Sequence, residues 1–365
     1  MKNKLLYKTY YNKKVLVTGH TGFKGTWLTI WLKLLGAEVM GISLDIPSKP
    51  SHFEKSNISK SIKDIRMDIN SKNLKKTILD FKPDFIFHLA AQALVNLSFD
   101  DPYSTWQTNV MGTATVLESL KSYNKKCTVI LVTSDKCYDN KEWPWGYRET
   151  DQLGGSDPYS GSKAAVEILI NSYVKSFYSN SKNLKIASVR AGNVVGGGDW
   201  SKDRIIPDVI KGWSQSKTIF LRNPSSTRPW QHVLEPLSGY LSLAEKMYNN
   251  KNFIGEAYNF GPSDNQTNTV ANVVGLIKKY LPKKSLSIRN GTKNNKEHHL
   301  LKLNCDKALS KLKWRSTLDF NETIDLTINW YLSYYKNPKK TYDITTSQIN
   351  LYTKLAFDRK IHWAK

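Results

Sequence analysis

The sequence is poor in cysteine and contains no long apolar segment. Its three cysteines, Cys127, Cys137 and Cys305, are odd in number and widely spaced. This pattern indicates a reducing compartment and argues against a disulfide framework or a zinc site. No stretch approaches the roughly 20 consecutive apolar residues that a membrane span needs. Residues 1–11 are polar and basic without an apolar core, so we expect no secretory signal. These absences predict a cytoplasmic protein with no metal and no membrane partner.

Acidic residues are scarce as well, since 31 Asp and Glu stand against 54 Lys and Arg, a formal net charge of +23. Such a positive charge can favour binding to nucleic acid, to a membrane surface or to an anionic small molecule. The lysines are spread along the chain instead of forming one basic segment. We therefore expect a solvated lysine surface around a site for anionic ligands, and no nucleic-acid partner.

Strand-like and helix-like segments alternate through the first half of the chain. Short apolar runs predict strands at residues 14–18, 39–44, 85–89, 128–133 and 186–189. Helical periodicity predicts helices at residues 27–35, 105–122 and 159–178. This alternation predicts an α/β fold, a Rossmann-like doubly wound parallel sheet.

The character of the chain changes after about Ala191. Glycines at 196–198 and several prolines break it into short pieces, and helical patterns resume at 237–248, 270–280 and 321–335. We expect residues 12–191, with parts of the later chain, to form a dinucleotide-binding Rossmann domain. Residues 192–357 should form mainly a smaller C-terminal substrate-binding lobe, interleaved with sheet elements.

A glycine-rich loop follows the first predicted strand. Gly19, Gly22 and Gly25 form the pattern G-x-x-G-x-x-G between that strand and a helix. Glycine permits the tight turn and lets backbone N–H groups approach a pyrophosphate at the positive helix end. An ordinary glycine-rich turn is the alternative for the motif alone, but the strand–turn–helix context favours a dinucleotide site.

An aspartate near the end of the second predicted strand indicates which dinucleotide is bound. Asp45 follows Gly25 by about 20 residues, the interval at which a carboxylate binds the adenosine ribose diol and favours NAD over NADP. A simple loop aspartate ahead of Pro47 is the alternative. Asp68, after another short apolar stretch, is a candidate for contact with the adenine. NAD is therefore the expected cofactor.

Tyr159 and Lys163 are four residues apart in a predicted helix, so they share one face. An ammonium group beside a phenol favours the phenolate, which lets tyrosine act as a base near neutral pH. A surface pair is the alternative for this spacing alone. Ser134 ends the preceding strand, where its hydroxyl could bind the reacting oxygen.

Several longer segments carry a resemblance to one family. They are Gly19-His20-Thr21-Gly22-Phe23-Lys24-Gly25, His88-Leu89-Ala90-Ala91-Gln92, Thr108-Asn109-Val110, Thr133-Ser134-Asp135-Lys136-Cys137-Tyr138, and residues 153–160, 190–200 and 227–233. With these segments the sequence resembles the extended short-chain dehydrogenase/reductase family and, within it, the CDP-glucose 4,6-dehydratases. The similarity runs from about residue 12 to about 357, and the last four segments are specific to the subgroup.

The resemblance implies three sets of site residues. The catalytic set is Ser134, Asp135, Lys136, Tyr159 and Lys163. The NAD-binding set is Gly19, Thr21, Gly22, Phe23, Lys24, Gly25, Asp45, Asp68, Leu89, Ala90, Ala91, Tyr159 and Lys163. The substrate-binding set is Gln92, Asn109, Asn193, Arg204, Arg222 and Arg228. Arg190 lies in the same diphosphate-binding segments, and arginine suits bidentate phosphate contact.

The sequence also departs from the wider pattern. Most sugar-nucleotide 4,6-dehydratases carry a Thr-Asp-Glu triplet, whereas this chain has Ser134, Asp135 and Lys136. The CDP-glucose subgroup is similar in having lysine at the third position. Residues 96–99 replace a more usual basic-and-tyrosine stretch, which puts substrate contacts from that loop in doubt. Trp143, Trp145, Trp230 and His232 can be packing residues.

The resemblance implies that Tyr159, kept anionic by Lys163, takes the proton from the sugar O4 while C4 gives a hydride to NAD+. A base then removes the C5 proton, Asp135 protonates the departing C6 hydroxyl, and the hydride returns to C6. Lys136 is the base if burial lowers its pKa, and otherwise a charged group that stabilises the enolate. For Asp135 the alternative is a structural cap.

The implied substrate is CDP-glucose, and the implied context is deoxysugar synthesis for lipopolysaccharide O-antigen by a homo-oligomer, a dimer or tetramer. Another sugar-nucleotide dehydratase or a 4-epimerase of the same fold is the first alternative. Asp135 and Lys136 argue against simple epimerisation, which needs no acid at C6. A non-catalytic, nucleic-acid-binding relative is the second alternative, and the intact Tyr159 and Lys163 argue against it.

Overall fold

The computed structural model describes residues 4–221, 223–250, 253–262, 268–281, 288–290 and 300–365. The strands are β1 Lys14–Thr18, β2 Glu38–Ser43, β3 Lys63–Arg66, β4 Phe85–His88, β5 Cys127–Val132, β6 Leu184–Ala191, β7 Val194–Val195, β8 Ile219–Leu221, β9 Thr227–Arg228, β10 Gln231–His232, β11 Ala257–Phe260, β12 Asn268–Thr269 and β13 Ile288–Asn290. The helices are α1 Lys4–Tyr10, α2 Phe23–Leu34, α3 His52–Lys55, α4 Leu74–Phe81, α5 Val95–Asp100, α6 Pro102–Trp106, α7 Gly112–Leu120, α8 Pro158–Tyr173, α9 Ile205–Gln215, α10 Leu234–Asn249, α11 Val270–Tyr280, α12 Asp306–Leu312, α13 Phe320–Lys336 and α14 Thr341–Asp358.

Seven parallel strands form the central sheet in the order β11-β6-β5-β4-β1-β2-β3. The chain starts in the middle with β1, winds outward to β3, crosses back to β4 and continues to β6. This confirms the predicted doubly wound α/β fold. The seventh strand, β11, comes from the later chain and pairs with β6.

The sheet is covered on both faces, which explains why its strands read as continuous apolar runs. In β1, Val15 and Val17 belong to a core cluster with Trp27 and Trp31 of α2. Leu16, between them, belongs to a second cluster on the opposite face. Successive side chains of a strand point to opposite faces, so each strand contributes to both cores.

Two of the predicted helices are continued or interrupted by wider turns. The predicted helix 105–122 consists of the end of α6, a π-helical segment Gln107–Met111 and α7. The predicted helix 159–178 consists of α8 and a π-helical segment Val174–Tyr178. Apolar periodicity cannot separate these cases because both kinds of turn present similar side-chain faces over a few residues.

The carboxyl ends of the sheet strands meet at one edge, where a ligand binds in folds of this class. Strands β1, β4, β5 and β6 end there at Thr18, His88, Val132 and Ala191. The loops that follow carry most of the predicted site residues. Within the described parts of the chain, no helix is both long enough and apolar enough to span a bilayer.

Candidate active site

The glycine loop connects β1 to α2 in a close turn. Gly19 has φ of +74°, and a Cβ there would lie 2.7 Å from the backbone nitrogen of Ala90. A Cβ on Gly25 would lie 2.1 Å from the Gly19 carbonyl oxygen. These two positions therefore require glycine, one for its backbone conformation and both for close backbone approach. A Cβ on Gly22 would meet only the Gly19 carbonyl oxygen, at 3.4 Å, so its other side is open.

Gly22 is also the N-cap of α2, and no described side chain caps this helix. The backbone N–H groups of its first turn are thus left for an anionic ligand at the positive end of the helix. Thr21 donates its hydroxyl hydrogen to the Asp45 carbonyl oxygen at 2.6 Å, which joins the loop to the chain after β2. The loop geometry fits a dinucleotide pyrophosphate.

Asp45 and Asp68 are both exposed, Asp45 in the loop after β2 and Asp68 in the loop after the edge strand β3. The Asp45 carboxylate accepts the backbone N–H of Ile46 at 2.7 Å. The Asp68 carboxylate accepts the N–H of Asn70 at 2.7 Å, within the turn that follows β3. The contact of Asp45 with the adenosine ribose and that of Asp68 with adenine both stay predictions.

His20, inside the glycine loop, is a residue to which the sequence analysis assigned no role. It is fully buried, and its ring nitrogens contact the Ser43 hydroxyl at 2.9 Å and the Asp64 carboxylate at 2.8 Å. A Cβ on Gly41 would lie 2.3 Å from this ring. Burial lowers the pKa of His20 although Asp64 opposes the shift. His20 thereby fixes the loop to β2 and β3.

The segment after β4 forms the opposite wall of the loop. The Thr18 carbonyl accepts the N–H of Leu89 at 3.0 Å, and the Thr18 hydroxyl accepts the N–H of Ala90 at 3.3 Å. Leu89, Ala90 and Ala91 are half-buried beside Gly19. This position is compatible with the predicted contact of these three residues with the cofactor.

Gln92 and Asn109 hold this wall in place. The Asn109 side chain accepts the Gln92 N–H at 2.8 Å and donates to the Gln92 carbonyl at 3.1 Å and the Ser162 hydroxyl at 2.9 Å. The Gln92 amide donates to the Thr105 hydroxyl at 2.9 Å. These hydrogen bonds join the segment after β4 to α6 and α8, which is a structural role. Binding of Gln92 and Asn109 to substrate stays a prediction.

Ser134 and the 3₁₀ turn Asp135–Cys137 follow β5, and we call them the Ser–Asp turn. The Ser134 hydroxyl donates to Oδ1 of Asp135 at 3.0 Å and accepts the N–H of Lys136 at 3.2 Å. Asp135 is buried, and no described donor meets its Oδ2. Burial raises the pKa of Asp135, and Lys136, Ser134 and Lys24 oppose that shift.

Gly192, after β6, gives Oδ2 of Asp135 its space. A Cβ at Gly192 would lie 3.1 Å from that oxygen and 2.9 Å from Cγ of Pro229. Any larger residue would therefore press on the carboxyl group. No sequence pattern assigns a role to Gly192, because a lone glycine after a strand gives no signal of what it faces.

Tyr159 and Lys163 lie in the first two turns of α8 and are both buried. Nζ of Lys163 lies 5.9 Å from the centre of the Tyr159 ring. Burial raises the pKa of Tyr159 to about 12, while a hydrogen bond with Ser134 and the charge of Arg204 lower it. Burial lowers the pKa of Lys163 to about 8. Tyr159 and Ser134 are thus neighbours in the structure, and their catalytic roles stay predictions.

Lys24 adds a further cationic group to this region. Burial, chiefly, and the charge of Arg204 lower its pKa to about 8, and Asp135 raises it. Lys24 is the second residue of α2, so the glycine loop brings its ammonium into the electrostatic field of the Ser–Asp turn. This connection between the cofactor loop and Asp135 did not follow from the motif.

The other predicted substrate residues lie on segments that follow β6. Arg204, the N-cap of α9, pairs with Asp199 at 2.8 Å and contributes to the field at Tyr159. Asn193 is half-buried between β6 and β7, and Arg228 is half-buried in β9. Arg222 lies outside the described residues. Their contact with substrate stays a prediction.

Arg190 is placed differently from a phosphate-binding arginine. Its guanidinium is buried and pairs with Glu167 of α8, with 2.9 Å between Nη2 and Oε2. Trp230 and His232 are buried, which agrees with packing roles, whereas Trp143 and Trp145 are exposed. In the described parts of the chain, no cluster of three or more His, Cys, Asp or Glu suits a metal ion.

A parallel sheet of this order, a G-x-x-G-x-x-G turn after β1 and a buried Tyr-x-x-x-Lys pair define an NAD-dependent enzyme of the extended short-chain dehydrogenase/reductase class. The sequence profile of the GDP-mannose 4,6 dehydratase family matches residues 16–327. The chain belongs to this family.

One relative of known sequence and two solved structures show what the chain is similar to. The CDP-glucose 4,6-dehydratase of Salmonella typhimurium (strain LT2) is 43% identical over 329 residues, which cover 89% of this chain and 92% of that protein. An epimerase of Methanothermobacter thermautotrophicus has a TM-score of 0.79 at 23% identity and covers 92% of this chain and 96% of its own. The dTDP-glucose 4,6-dehydratase of Bacillus anthracis, solved with NAD, has a TM-score of 0.72 at 22% identity, covering 89% and 97%. The two structural likenesses establish the fold.

Proposed function

We propose that the protein is an NAD-dependent CDP-glucose 4,6-dehydratase, which converts CDP-D-glucose to CDP-4-dehydro-6-deoxy-D-glucose. The observation that carries this proposal is the Ser–Asp turn. It places a buried, partly unpartnered carboxyl group beside Tyr159, which is what loss of water requires in addition to oxidation. The 43% identity to the Salmonella relative supports the choice of substrate.

The residues of α8 and β5 handle the proton of the C4 hydroxyl. Ser134 hydrogen-bonds with Tyr159, so both can meet the same sugar oxygen. The ammonium of Lys163 stabilises the phenolate form of Tyr159, which accepts the proton from the C4 hydroxyl and becomes the neutral phenol. Bound NAD would supply the hydride acceptor for C4 and the hydride donor for C6. Gly19, Gly22 and Gly25 would hold its pyrophosphate, and Asp45 its adenosine ribose.

Asp135 supplies the proton for the departing C6 hydroxyl. A carboxylic acid can donate only when it is protonated, and burial raises the pKa of Asp135 in that direction. Its Oδ1 accepts a hydrogen bond from Ser134, whereas Oδ2 is buried and meets no described donor, so Oδ2 is the oxygen that we assign to the substrate. Gly192 keeps that side clear. The division of the carboxyl group between a holding oxygen and a free oxygen suits a general acid.

Lys136 is half-buried in the same turn and is our candidate for the base at C5. The alternative is that it stays charged and stabilises the enolate. Arg204, Arg222 and Arg228 would bind the CDP diphosphate, since guanidinium groups form charge-assisted hydrogen bonds to phosphate. The side-chain amide of Asn193 would donate a neutral hydrogen bond to the same group. The substrate would then lie between a Rossmann domain of residues 12–191 and a lobe formed mainly by residues 192–357.

We further propose that the enzyme acts in the cytoplasm as a homo-oligomer, a dimer or tetramer, in deoxysugar synthesis for lipopolysaccharide O-antigen. Exposed apolar side chains on α6, on the π-helical segment that follows it and on α8 support self-association. They include Tyr103, Trp106, Met111 and Ile168. Sedimentation equilibrium would measure the oligomeric state directly.

The test of function is incubation with CDP-, dTDP-, UDP- and GDP-glucose, read by mass spectrometry. We expect loss of one water from CDP-glucose, with the other three reacting much more slowly. Inversion at C4 without loss of water would replace the dehydratase by the 4-epimerase alternative. Preferred dehydration of another nucleotide sugar would keep the reaction and change the substrate. Release of bound nucleotide on denaturation, and absence of salt-dependent RNA binding, test against the nucleic-acid alternative.

A further inference from the structure

A buried ion pair lies behind the proposed catalytic groups. Arg190 of β6 donates to Glu167 of α8 through two separate contacts, Nε to Oε1 at 3.0 Å and Nη2 to Oε2 at 2.9 Å. Glu167 and Arg190 are 5% and 3% exposed. Although burial raises it, Arg190 and two hydroxyl donors hold the pKa of Glu167 below its usual value. The pair is therefore charged at neutral pH.

The two members of this pair bond to opposite ends of the Ser–Asp turn, Glu167 before it and Arg190 after it. The hydroxyl of Thr133, the residue before Ser134, donates to Oε1 of Glu167. The hydroxyl of Tyr138, the residue after Cys137, accepts a hydrogen bond from Nη1 of Arg190 at 2.8 Å. The turn is thus held at both of its ends by one ion pair.

The same pair is connected to the helix that carries the Tyr-x-x-x-Lys motif. Tyr159, Lys163 and Glu167 are successive residues at a spacing of four, so they share one face of α8. Ser188 of β6 donates to Oε2 of Glu167 at 2.8 Å. Every oxygen of Glu167 is therefore committed to the turn, to β6 or to Arg190, and none is left for a substrate.

Stability alone gives little reason to keep such a group. A buried ion pair gains little over an apolar pair of the same volume, because desolvation offsets the attraction. A charged network with directional hydrogen bonds does, however, fix the relative position of the elements it joins. Here these elements are the Ser–Asp turn, with the proposed acid, and α8, with the proposed base.

We propose that Glu167 and Arg190 are positioning residues that set the distance between the Ser–Asp turn and the Tyr159–Lys163 face of α8. The proposal rests on the function proposed above. One substrate ring must meet Tyr159 at O4 and Asp135 at the C6 hydroxyl, so both groups need a common frame. A displacement of about 1 Å at such a site can cost about a hundredfold in rate.

The first test is hydrogen exchange of the backbone amides of Cys137 and Tyr138, which bond only within the turn. In Glu167→Gln the turn loses the charge-assisted hydrogen bonds of the Glu167 carboxylate, whereas the sixteen-residue α8 keeps its own backbone hydrogen bonds. We expect at least about tenfold faster exchange in the turn and unchanged exchange in β1. This measurement needs no substrate, and equal protection of the turn in both proteins would overturn the proposal.

The second test follows the reaction with CDP-glucose. For Glu167→Gln we expect kcat to fall about tenfold to a hundredfold with KM changed by less than about threefold. The turn that loosens carries Asp135, so dehydration should slow more than oxidation. Reduced cofactor should therefore accumulate, and its near-ultraviolet absorbance should rise. A parent-like kcat together with no accumulation would refute the positioning role. If the parent itself does not dehydrate CDP-glucose, the proposed function fails, and hydrogen exchange still decides whether the pair holds the turn.

Glu235→Gln is the matched control. Glu235 is also a buried carboxylate, and it accepts the N–H groups of Thr317 and Leu318 and the hydroxyl of Tyr352. Its replacement should lower stability without slowing dehydration relative to oxidation. The same accumulation of reduced cofactor in this control would mean that any buried lesion produces it, which would overturn the assignment.

Two milder variants keep the test usable if Glu167→Gln folds poorly. Thr133→Val and Tyr138→Phe each remove one hydroxyl, at opposite ends of the turn, and keep its packing. We expect each to accelerate exchange of the turn and to raise the reduced-cofactor fraction, by less than Glu167→Gln does. Parent behaviour in both variants would contradict the proposal.

Discussion

Replacement of Asp135 by asparagine separates oxidation of the sugar from loss of water. Asparagine has nearly the same shape, and its carbonyl oxygen can keep the 3.0 Å contact with the Ser134 hydroxyl. The change puts an amide NH2 group where Oδ2 lies, and an amide cannot supply a proton to a leaving hydroxyl. Since no described donor meets Oδ2, an amide nitrogen at that position replaces no hydrogen bond to that oxygen.

The expected magnitude follows from the chemistry of that oxygen. General acid catalysis of such a step contributes about 10²–10⁴-fold, equivalent to about 2.7–5.4 kcal/mol of activation free energy. Dehydration should slow by that factor. Oxidation at C4 uses Tyr159, Lys163 and Ser134 and should change by less than about threefold. Folding stability should change by no more than about 1–3 kcal/mol, the range for one altered buried polar group.

The assay combines stopped-flow absorbance of reduced cofactor with mass spectrometry of the sugar product. Asp135→Asn should show rapid formation of reduced cofactor and very slow loss of water. Asp84→Asn is the control. Asp84 accepts the N–H of Lys14 at 2.9 Å, at the amino end of β1 and so at the opposite edge of the sheet. It should behave as the parent does.

Two results would refute this reasoning. Dehydration by Asp135→Asn at the parent rate would mean that Asp135 is not the acid. A folded variant that forms no reduced cofactor would mean that Asp135 acts earlier, in placing the sugar. The second result would also remove the separation of roles between Asp135 and Tyr159.

Three further outcomes are expected. Tyr159→Phe should abolish turnover and keep the circular dichroism and melting temperature of the parent; near-normal dehydration would refute its role as proton acceptor. The protein should copurify with NAD(H), identified by mass after denaturation, because the hydride returns within one turnover; empty sites with a preference for NADP would contradict the role of Asp45. Burial raises the pKa of Glu235 to about 7, so its folded form holds a proton that the unfolded chain releases above its ordinary pKa near 4.5. Stability should therefore fall as pH rises from about 4.5 to about 7, and urea titrations of Glu235→Gln should lack that part of the slope.

The part of the site that sequence reasoning predicted consists of contacts local in the chain. The glycine loop is such a case, because Gly19, Gly22 and Gly25 lie within one strand–turn–helix unit. Tyr159 and Lys163 are another, since helical geometry alone puts residues four apart on one face. The strand boundaries were also close, because buried parallel strands are short apolar runs.

The part that sequence reasoning missed depends on long-range pairing. Arg190 lies next to segments that suggest phosphate binding, yet β6 carries it against Glu167 of α8, 23 residues away in sequence. Nothing in the local pattern distinguishes a phosphate-binding arginine from a buried one. The spacing of Glu167 from Lys163 was a usable signal, because it continues the face of the Tyr-x-x-x-Lys motif by one more turn.

The electrostatics of the site explain why its groups need one another. Burial moves the pKa of Lys163 down and those of Tyr159 and Asp135 up, so each is driven toward its neutral form. A protonated Asp135 can act as an acid. Lys163, with a pKa of about 8, keeps most of its charge near neutral pH and can stabilise the Tyr159 phenolate. Burial lowers the pKa of Lys24 to about 8 as well. An anionic ligand bound near these two lysines would raise the pKa of both and strengthen their charged forms.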